Sequence, residues 1–460
     1  MINISAFDGL RYKEDSGDHP PSSVENASVF SKDIHQNTDP RAKANWRHTR
    51  VIGFSVPVES HSSPTKKEVR STVSMQAPEH TAGRFYRPEL DFVRFLAFLF
   101  VFVHHTLPHV SDHRIDSFLN GFAPIFYASV GACRFGLSLF FTLSAFLICE
   151  LLLRERDSTG KIEIKQFYIR RILRIWPLYY LALALGLIVA FLPGGTPSSA
   201  VGIGWFAIFM GAWHSAIYDL PQNPINPLWS ISVEEQFYLF APWTIKYFNR
   251  KSLYVFCGLL ILGSNVSLYY LGKVLAAETR IWFNSIVQFE CFAAGILLSL
   301  LLHGRTPKLA FWQRLTLIAI AWSCWFFACY GLHYQFYLPS DNPGSWALIG
   351  GYALGALGSV LLLFAFLGVS PKLLPRWTIY LGRISFGLYV YHELAVYMLT
   401  RLLFGHPAAV NSPIFLFKGV LSLGLTVLMA AISYRYFETP FLKMKKRHAV
   451  IDSQPIAGAG

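Results

Sequence analysis

Charge is scarce in this chain. Asp, Glu, Lys and Arg make up 15% of the 460 residues, against about 25% in an ordinary soluble domain. Hydrophobic residues reach 53% and aromatic ones 16%. So many apolar side chains exceed what one core in water can hide. That excludes an ordinary soluble enzyme and points to a polytopic membrane protein. The six cysteines, Cys133, Cys149, Cys257, Cys291, Cys324 and Cys329, form no CxxC pair and no His/Cys cluster. A disulfide scaffold or zinc site is therefore not expected, and they read as packing residues. Residues 1–20 lack an apolar h-region, so a cleavable signal peptide is not expected. An internal repeat of the transporter kind is also missing.

The net charge is +13. In a soluble chain that would suggest nucleic acid. Here the basic residues sit mainly in the tails and between apolar runs, where positive charge sets membrane orientation. The expected partner is the lipid bilayer, with no nucleic acid.

Residues 1–83 differ from the rest. They are rich in Ser, His, Pro and mixed charge, and predict a disordered polar cytoplasmic tail. A start at Met75 would equally leave a short polar lead before Arg84. A membrane domain is expected over 84–443 and a cytoplasmic C-terminal tail over 444–460. Apolar runs fall at about 92–110, 133–153, 175–192, 200–216, 229–248, 253–271, 281–302, 311–331, 345–368, 377–402 and 414–436. Each approaches the roughly 20 residues that a helix needs to span hydrocarbon.

Basic loops reduce these eleven runs. The stretch from Arg154 to Arg174 holds seven Lys or Arg residues. Further basic loops carry Lys246, Arg250 and Lys251; Arg305, Lys308 and Arg314; and Lys372, Arg376 and Arg383. The C-terminal end carries Lys443, Lys445, Lys446 and Arg447. All become cytoplasmic if 200–216, with its glycines and following prolines, does not cross. The expected fold is thus all-α, with about ten transmembrane helices, one re-entrant or peripheral segment and both termini cytoplasmic.

Ionisable residues inside spans are costly and raise a functional hypothesis. In the first span Arg94 and His105 are eleven residues apart, which places them on one helix face roughly 16 Å apart along the axis. Asp91 falls near that face and His104 does not. An interfacial Asp–Arg pair and a merely hydrogen-bonded histidine fit the same spacing. Further on, Ser230, Glu234 and Tyr238 form one helical stripe beside Glu235. The two glutamates could instead complement the helix dipole. Arg170, Arg171 and Arg174 stand where a helix enters the bilayer. They suit either snorkelling or a phosphate clamp. A last cluster runs from Gly382 through Ser385 to His392 and Glu393. By the assigned topology, His105, His392 and Glu234 come to comparable depth.

Six segments in order resemble the acyltransferase type 3 family of membrane O-acyltransferases, which modify sugars of surface polysaccharides, nodulation factors and some antibiotics. They are Arg87-Pro-Glu-Leu-Asp91-Phe-Val-Arg94 with His105, Gly136 to Ile148 around Ser144, the arginine run ending at Pro177, Trp229-Ser-Ile-Ser-Val-Glu-Glu-Gln-Phe-Tyr238, Gly382 to His392, and Ser433-Tyr-Arg-Tyr-Phe-Glu438-Thr-Pro-Phe441. No one piece is specific, but six in order are. The chain departs from the family at Phe92, where Gly is usual, at Ser144-Ala145, where Ser-Gly is usual, and at His392-Glu-Leu394, where His-x-Pro is usual.

The resemblance implies acyl transfer, acetyl foremost, from acyl-coenzyme A to a carbohydrate hydroxyl, with no metal and no resident cofactor. Histidine suits the base for such a step, and His105 takes that role. Arg94 would bind donor or hold the helix, with Asp91 orienting it. Arg170, Arg171 and Arg174 would hold the donor phosphates. Glu234 or Glu235 would orient a reacting group or the acceptor. Trp229, Ser230, Tyr238, Ser385 and His392 complete the expected substrate-binding set. Ser144 and Ser230 stand as acyl carriers or as packing serines. A proton-coupled transporter and a non-catalytic component of a glycan assembly complex are the rival readings.

Overall fold

A computed structural model describes residues 74–76, 85–108, 113–192, 199–221, 223–274, 278–333, 344–404 and 414–448. Nearly all of these are helical. The first half comprises α1 (Pro88–Thr106), α2 (His113–Leu119), α3 (Ala123–Ala132), α4 (Gly136–Thr159), α5 (Ile164–Phe191), α6 (Ser199–Ala207), α7 (Gly211–Tyr218) and α8 (Leu228–Tyr247). The second half comprises α9 (Arg250–Lys273), α10 (Glu278–Trp282), α11 (Ser285–Leu302), α12 (Phe311–Tyr330), α13 (Gly344–Phe366), α14 (Arg376–Arg383), α15 (Ser385–Phe404), α16 (Ile414–Ser433) and α17 (Thr439–Lys446).

Among the described residues, six helical stretches are long and apolar enough to cross a membrane. They are Asp116–Thr159, Ile164–Phe191, Arg250–Lys273, Ser285–Leu302, Gly344–Phe366 and Leu416–Lys446. The 200–216 run is broken into α6 and α7 around Phe209, whose φ is +58°. It therefore forms no continuous spanning helix. The 377–402 run is also broken, between α14 and α15.

The inner and outer helices differ in what they show. α4 is buried along most of its length and packs against α1, α8, α11 and α13. Close approach to α11 depends on Gly295, where a Cβ would collide with the Thr142 carbonyl. On α9, by contrast, Val255, Leu259, Leu262 and Val266 are exposed. Their spacing of four, three and four residues forms one apolar stripe. α16 shows Phe417, Val420, Leu428 and Ile432 in the same way. Such faces suit hydrocarbon and would be a liability in water.

Hydrogen bonds gather the basic loops at one end of the bundle. Arg154 donates to the Gly304 carbonyl at 3.1 Å, and Arg156 to the Phe248 carbonyl at 3.2 Å. Arg170 donates to the His448 carbonyl at 3.0 Å, and the Gly368 amide to Glu89 at 3.3 Å. Arg314 donates to the carbonyls of Ala365 and Leu367, satisfying acceptors left open where α13 ends.

Two boundaries differ from the sequence expectation. Ser74–Gln76, within the tail expected to be disordered, pairs antiparallel with Thr306–Lys308. The remainder of residues 1–83 lies outside the described residues, as does 449–460. A boundary at 443 would also cut α17. Lys445 on that helix is buried, and α17 packs against α5.

Candidate active site

A cavity of about 430 Å³ opens among α1, α4, α5, α8, α15 and α17. α1 contributes Asp91 and Arg94, α5 Arg171 and Arg174, and α8 Ser230, Glu234 and Tyr238. Proline at the first position of α1 presets the backbone for a helix start. Six residues on, the helix places Arg94 at the cavity. The packing of α14 on α1 is equally specific, because a Cβ on Gly382 would strike the Asp91 carbonyl. That approach brings Arg383 to the same cavity.

The lining has seven cationic side chains, Arg87, Arg94, Arg171, Arg174, Arg383, Lys445 and Lys446, and two carboxylates, Asp91 and Glu234. Both carboxylates are engaged. Asp91 accepts from Arg94 at 2.6 Å and from the Tyr86 hydroxyl at 3.0 Å. Glu234 accepts from the Ser144 and Tyr238 hydroxyls, each at 2.9 Å. Arg171 Nε and Arg383 Nε are buried with no hydrogen-bond acceptor among the described residues. A buried donor without an acceptor is costly. A cavity with this cation surplus and two such donors is built for an anion, and guanidinium forks match phosphate oxygens.

A second cluster lies beyond the cavity lining. His105 Nδ1 is 2.9 Å from His392 Nε2 and 2.8 Å from Glu393 Oε1. His392 Nδ1 donates to the Tyr389 carbonyl at 2.6 Å. Tyr389 connects the two regions, since its side chain lines the cavity and its hydroxyl meets Ser230 at 2.7 Å. His392 is fully buried, whereas about a third of the His105 side chain is exposed. The arrangement gives one accessible imidazole with a buried imidazole and a carboxylate behind it. That is the architecture of a supported base. His105, His392 and Glu393 are also the one trio among the described residues with metal-ligand atoms within 4.8 Å of one another.

The structure sorts the expected residues into three groups. Asp91, Arg94, Arg171, Arg174, Ser230, Glu234, Tyr238 and Ser385 line the cavity. His105 and His392 meet each other. Arg170, Trp229 and Glu235 do neither. Arg170 pairs with buried Glu155 at 3.0 Å and ties down the C-terminal segment. Trp229 is buried against Phe283, with ring centroids 4.7 Å apart. Glu235 accepts from Trp176 at 3.2 Å. Glu234, expected at the depth of the histidines, instead shares the arginine cavity. Ser230, one turn earlier on α8, is what reaches Tyr389 and the histidine side. His104 turns away, with Nδ1 on the Val130 carbonyl at 3.2 Å. Sequence reasoning missed Tyr389, Arg383, Lys445 and Glu393 as site residues. A signal existed for two of them, since Tyr389 and Glu393 flank His392 at helical and adjacent spacing.

Residues 87–431 match the family described as an acyltransferase domain, type 3. The chain belongs to the acyltransferase type 3 family. Among its relatives is the "Putative O-acetyltransferase SAS0844" of Staphylococcus aureus, 25% identical over 382 residues, which is 78% of this chain and 58% of the relative. Another is the "O-acetyltransferase OatA" of Staphylococcus aureus, 25% identical over 338 residues, covering 67% of this chain and 52% of that protein. The chain thus spans little more than half the length of these relatives. No solved structure matches it. The family match covers both α1, with Arg94 and His105, and α15, with His392 and Glu393.

Proposed function

We propose that this family member is a membrane O-acetyltransferase that moves an acetyl group from acetyl-coenzyme A to a hydroxyl of a cell-surface or lipid-linked carbohydrate. The observation that carries the reading is the pairing of a seven-cation cavity with a partly exposed histidine beyond it. The donor's phosphates occupy the arginine cavity, and its pantetheine arm runs toward Tyr389 and the histidine pair. The acceptor hydroxyl approaches the exposed side of His105. His105 Nε2 takes the hydroxyl proton as the oxygen attacks the thioester carbonyl. The C–S bond then breaks, and the leaving thiolate recovers the proton as the thiol.

The proposed topology has ten crossings, α1, α4, α5, α8, α9, α11, α12, α13, α15 and α16, in the cell membrane of a bacterium. Both termini are cytoplasmic, and α6 and α7 are peripheral. The gathering of the basic loops at one end supports this orientation, because α17 and the N-terminal end of α1 lie at that same end. The cavity opens there too, toward Arg87, Lys445 and Lys446, on the side where acyl-coenzyme A is made.

The direct test is acetyl transfer by the purified full chain with labelled acetyl-coenzyme A, alongside mass spectrometry of surface glycans from cells with and without the gene. A glycan species lighter by one acetyl group in the deletion, restored by the parent and not by His105→Ala, is the expected result. Identical glycans in all three strains, with no transfer in vitro, would refute it.

A further inference from the structure

We propose that Glu393 is a positioning residue for His105, and that the Tyr389 carbonyl fixes the His105 tautomer through His392. The proposal rests on the acyltransferase reading and adds a residue, Glu393, at the open position of the family's His-x-Pro pattern, next to Leu394 where this chain departs from it.

The tautomers follow from donor and acceptor bookkeeping. A carbonyl oxygen can only accept, so His392 Nδ1, 2.6 Å from the Tyr389 carbonyl, carries the hydrogen. In the neutral ring the lone pair then lies on Nε2. That nitrogen faces His105 Nδ1 at 2.9 Å, so His105 Nδ1 must carry a hydrogen. Glu393 Oε1, 2.8 Å from the same nitrogen, is a second acceptor and agrees. The proton-accepting lone pair of His105 is thereby left on Nε2, the nitrogen that faces neither partner.

Ring geometry separates a proton-bonded pair from a cation site. The two imidazoles are tilted by 24° with centroids 5.1 Å apart. That separation equals the nitrogen–nitrogen distance plus one ring radius at each end. The donor hydrogen therefore points along the acceptor's lone pair. A cation held by both nitrogens with bonds of about 2.0–2.1 Å would need them roughly 3.3 Å apart, with the lone pairs meeting at a bend. The observed pair is closer and nearly in line.

When His105 gains a proton at Nε2, positive charge appears on a ring whose Nδ1 lies 2.8 Å from the Glu393 carboxylate. Glu393 stabilises that imidazolium and keeps its own charge, and His392 stays neutral. Lys418 on α16 is the other cation facing Glu393, and His104 flanks His105 with ring centroids 5.6 Å apart.

Nitrogen-15 NMR of histidine-labelled full chain in detergent reads the tautomers without any turnover. His105 and His392 are assigned by the signals lost in His105→Gln and His392→Gln. Both neutral rings are expected to carry their hydrogen on Nδ1; a His105 ring protonated on Nε2 would overturn the proposal. Glu393→Gln keeps the shape and removes the charge. It should lower kcat at least about tenfold with the acetyl-coenzyme A KM unchanged, as for an orienting carboxylate behind a catalytic histidine, and Glu393→Asp should recover part of the loss. An unchanged kcat in Glu393→Gln, or a change in KM alone, would reject the role of Glu393. Expected tautomers in a chain that transfers no acetyl group would instead leave the relay standing and remove the acyltransferase reading.

Discussion

The Tyr389 hydroxyl lies 2.7 Å from Ser230 Oγ, and the carbonyl of the same residue accepts from His392 Nδ1 at 2.6 Å. One residue therefore forms part of the cavity wall with its side chain and anchors the histidine pair with its backbone. The two functions are separable by mutation. The hydroxyl also donates to the Pro227 carbonyl at 3.2 Å, so Tyr389→Phe should lower stability by about 1–3 kcal/mol, at roughly 0.5–1.5 kcal/mol for each hydrogen bond, measured as a shift in thermal or denaturant unfolding. The ring stays against Phe140, and the histidine NMR signals should remain those of the parent. Loss of the His392 hydrogen bond in this variant would show that the backbone position depends on the hydroxyl.

His105 and His104 are adjacent in sequence but opposed in role. His105→Ala should reduce acetyl transfer by roughly 10²–10⁴, the usual contribution of a general base, with normal insertion and yield. His104→Ala removes the contact to the Val130 carbonyl and leaves the His105–His392–Glu393 cluster in place, so its transfer rate should stay much nearer the parent's. The same radiolabel assay checks both. An inactive His104→Ala beside an active His105→Ala would contradict the site assignment.

Arg170 and Arg171 provide a second adjacent contrast. Arg171 lines the cavity with an Nε that has no acceptor among the described residues, and Arg171→Ala should raise the acetyl-coenzyme A KM while the chain stays folded. Arg170 is held by Glu155, whose other oxygen accepts from the Glu163 amide. Arg170→Ala leaves Glu155 buried and uncompensated. It should therefore destabilise the chain by roughly 3 kcal/mol or more and leave the KM of the surviving folded fraction unchanged. Saturation curves and unfolding midpoints on both variants distinguish the cases.

Gly382→Ala tests the packing that sets the cavity. The added methyl must displace α14 from the Asp91 carbonyl. Overpacking of this kind costs typically about 1–3 kcal/mol. It should also weaken donor binding, since Asp91, Arg94 and Arg383 move with the two helices. Parent-like unfolding and KM would mean that the helices tolerate separation.

Arg94→Lys keeps the charge and loses the fork that holds Asp91 at 2.6 Å. Donor KM should rise, because an ammonium cannot reproduce the planar, directional bonding of guanidinium. An unaltered KM would show that charge alone suffices at this position.

Composition, apolar run length and the placement of Lys and Arg were enough to read an all-α membrane protein, its basic loops and the break in 200–216. Those properties are local: a helix must be about 20 residues long to span hydrocarbon, and positive charge acts loop by loop. Helical period likewise placed Asp91 and Arg94 together on one face, and Ser230, Glu234 and Tyr238 on one stripe. What period cannot give is the angle and depth at which one helix meets another. His105 and His392 are 287 residues apart in the chain, and only the packing of α1 with α15 brings their nitrogens into line. The same packing sent Arg171 into the cavity and left Arg170 on Glu155, moved Glu234 away from the histidines, and put Glu393 behind His105. Adjacent residues on a helix point about 100° apart. Which of two neighbours faces the site is therefore settled by how each helix is rotated about its own axis, and that rotation is fixed by contacts such as Gly382 on Asp91 and Gly295 on Thr142.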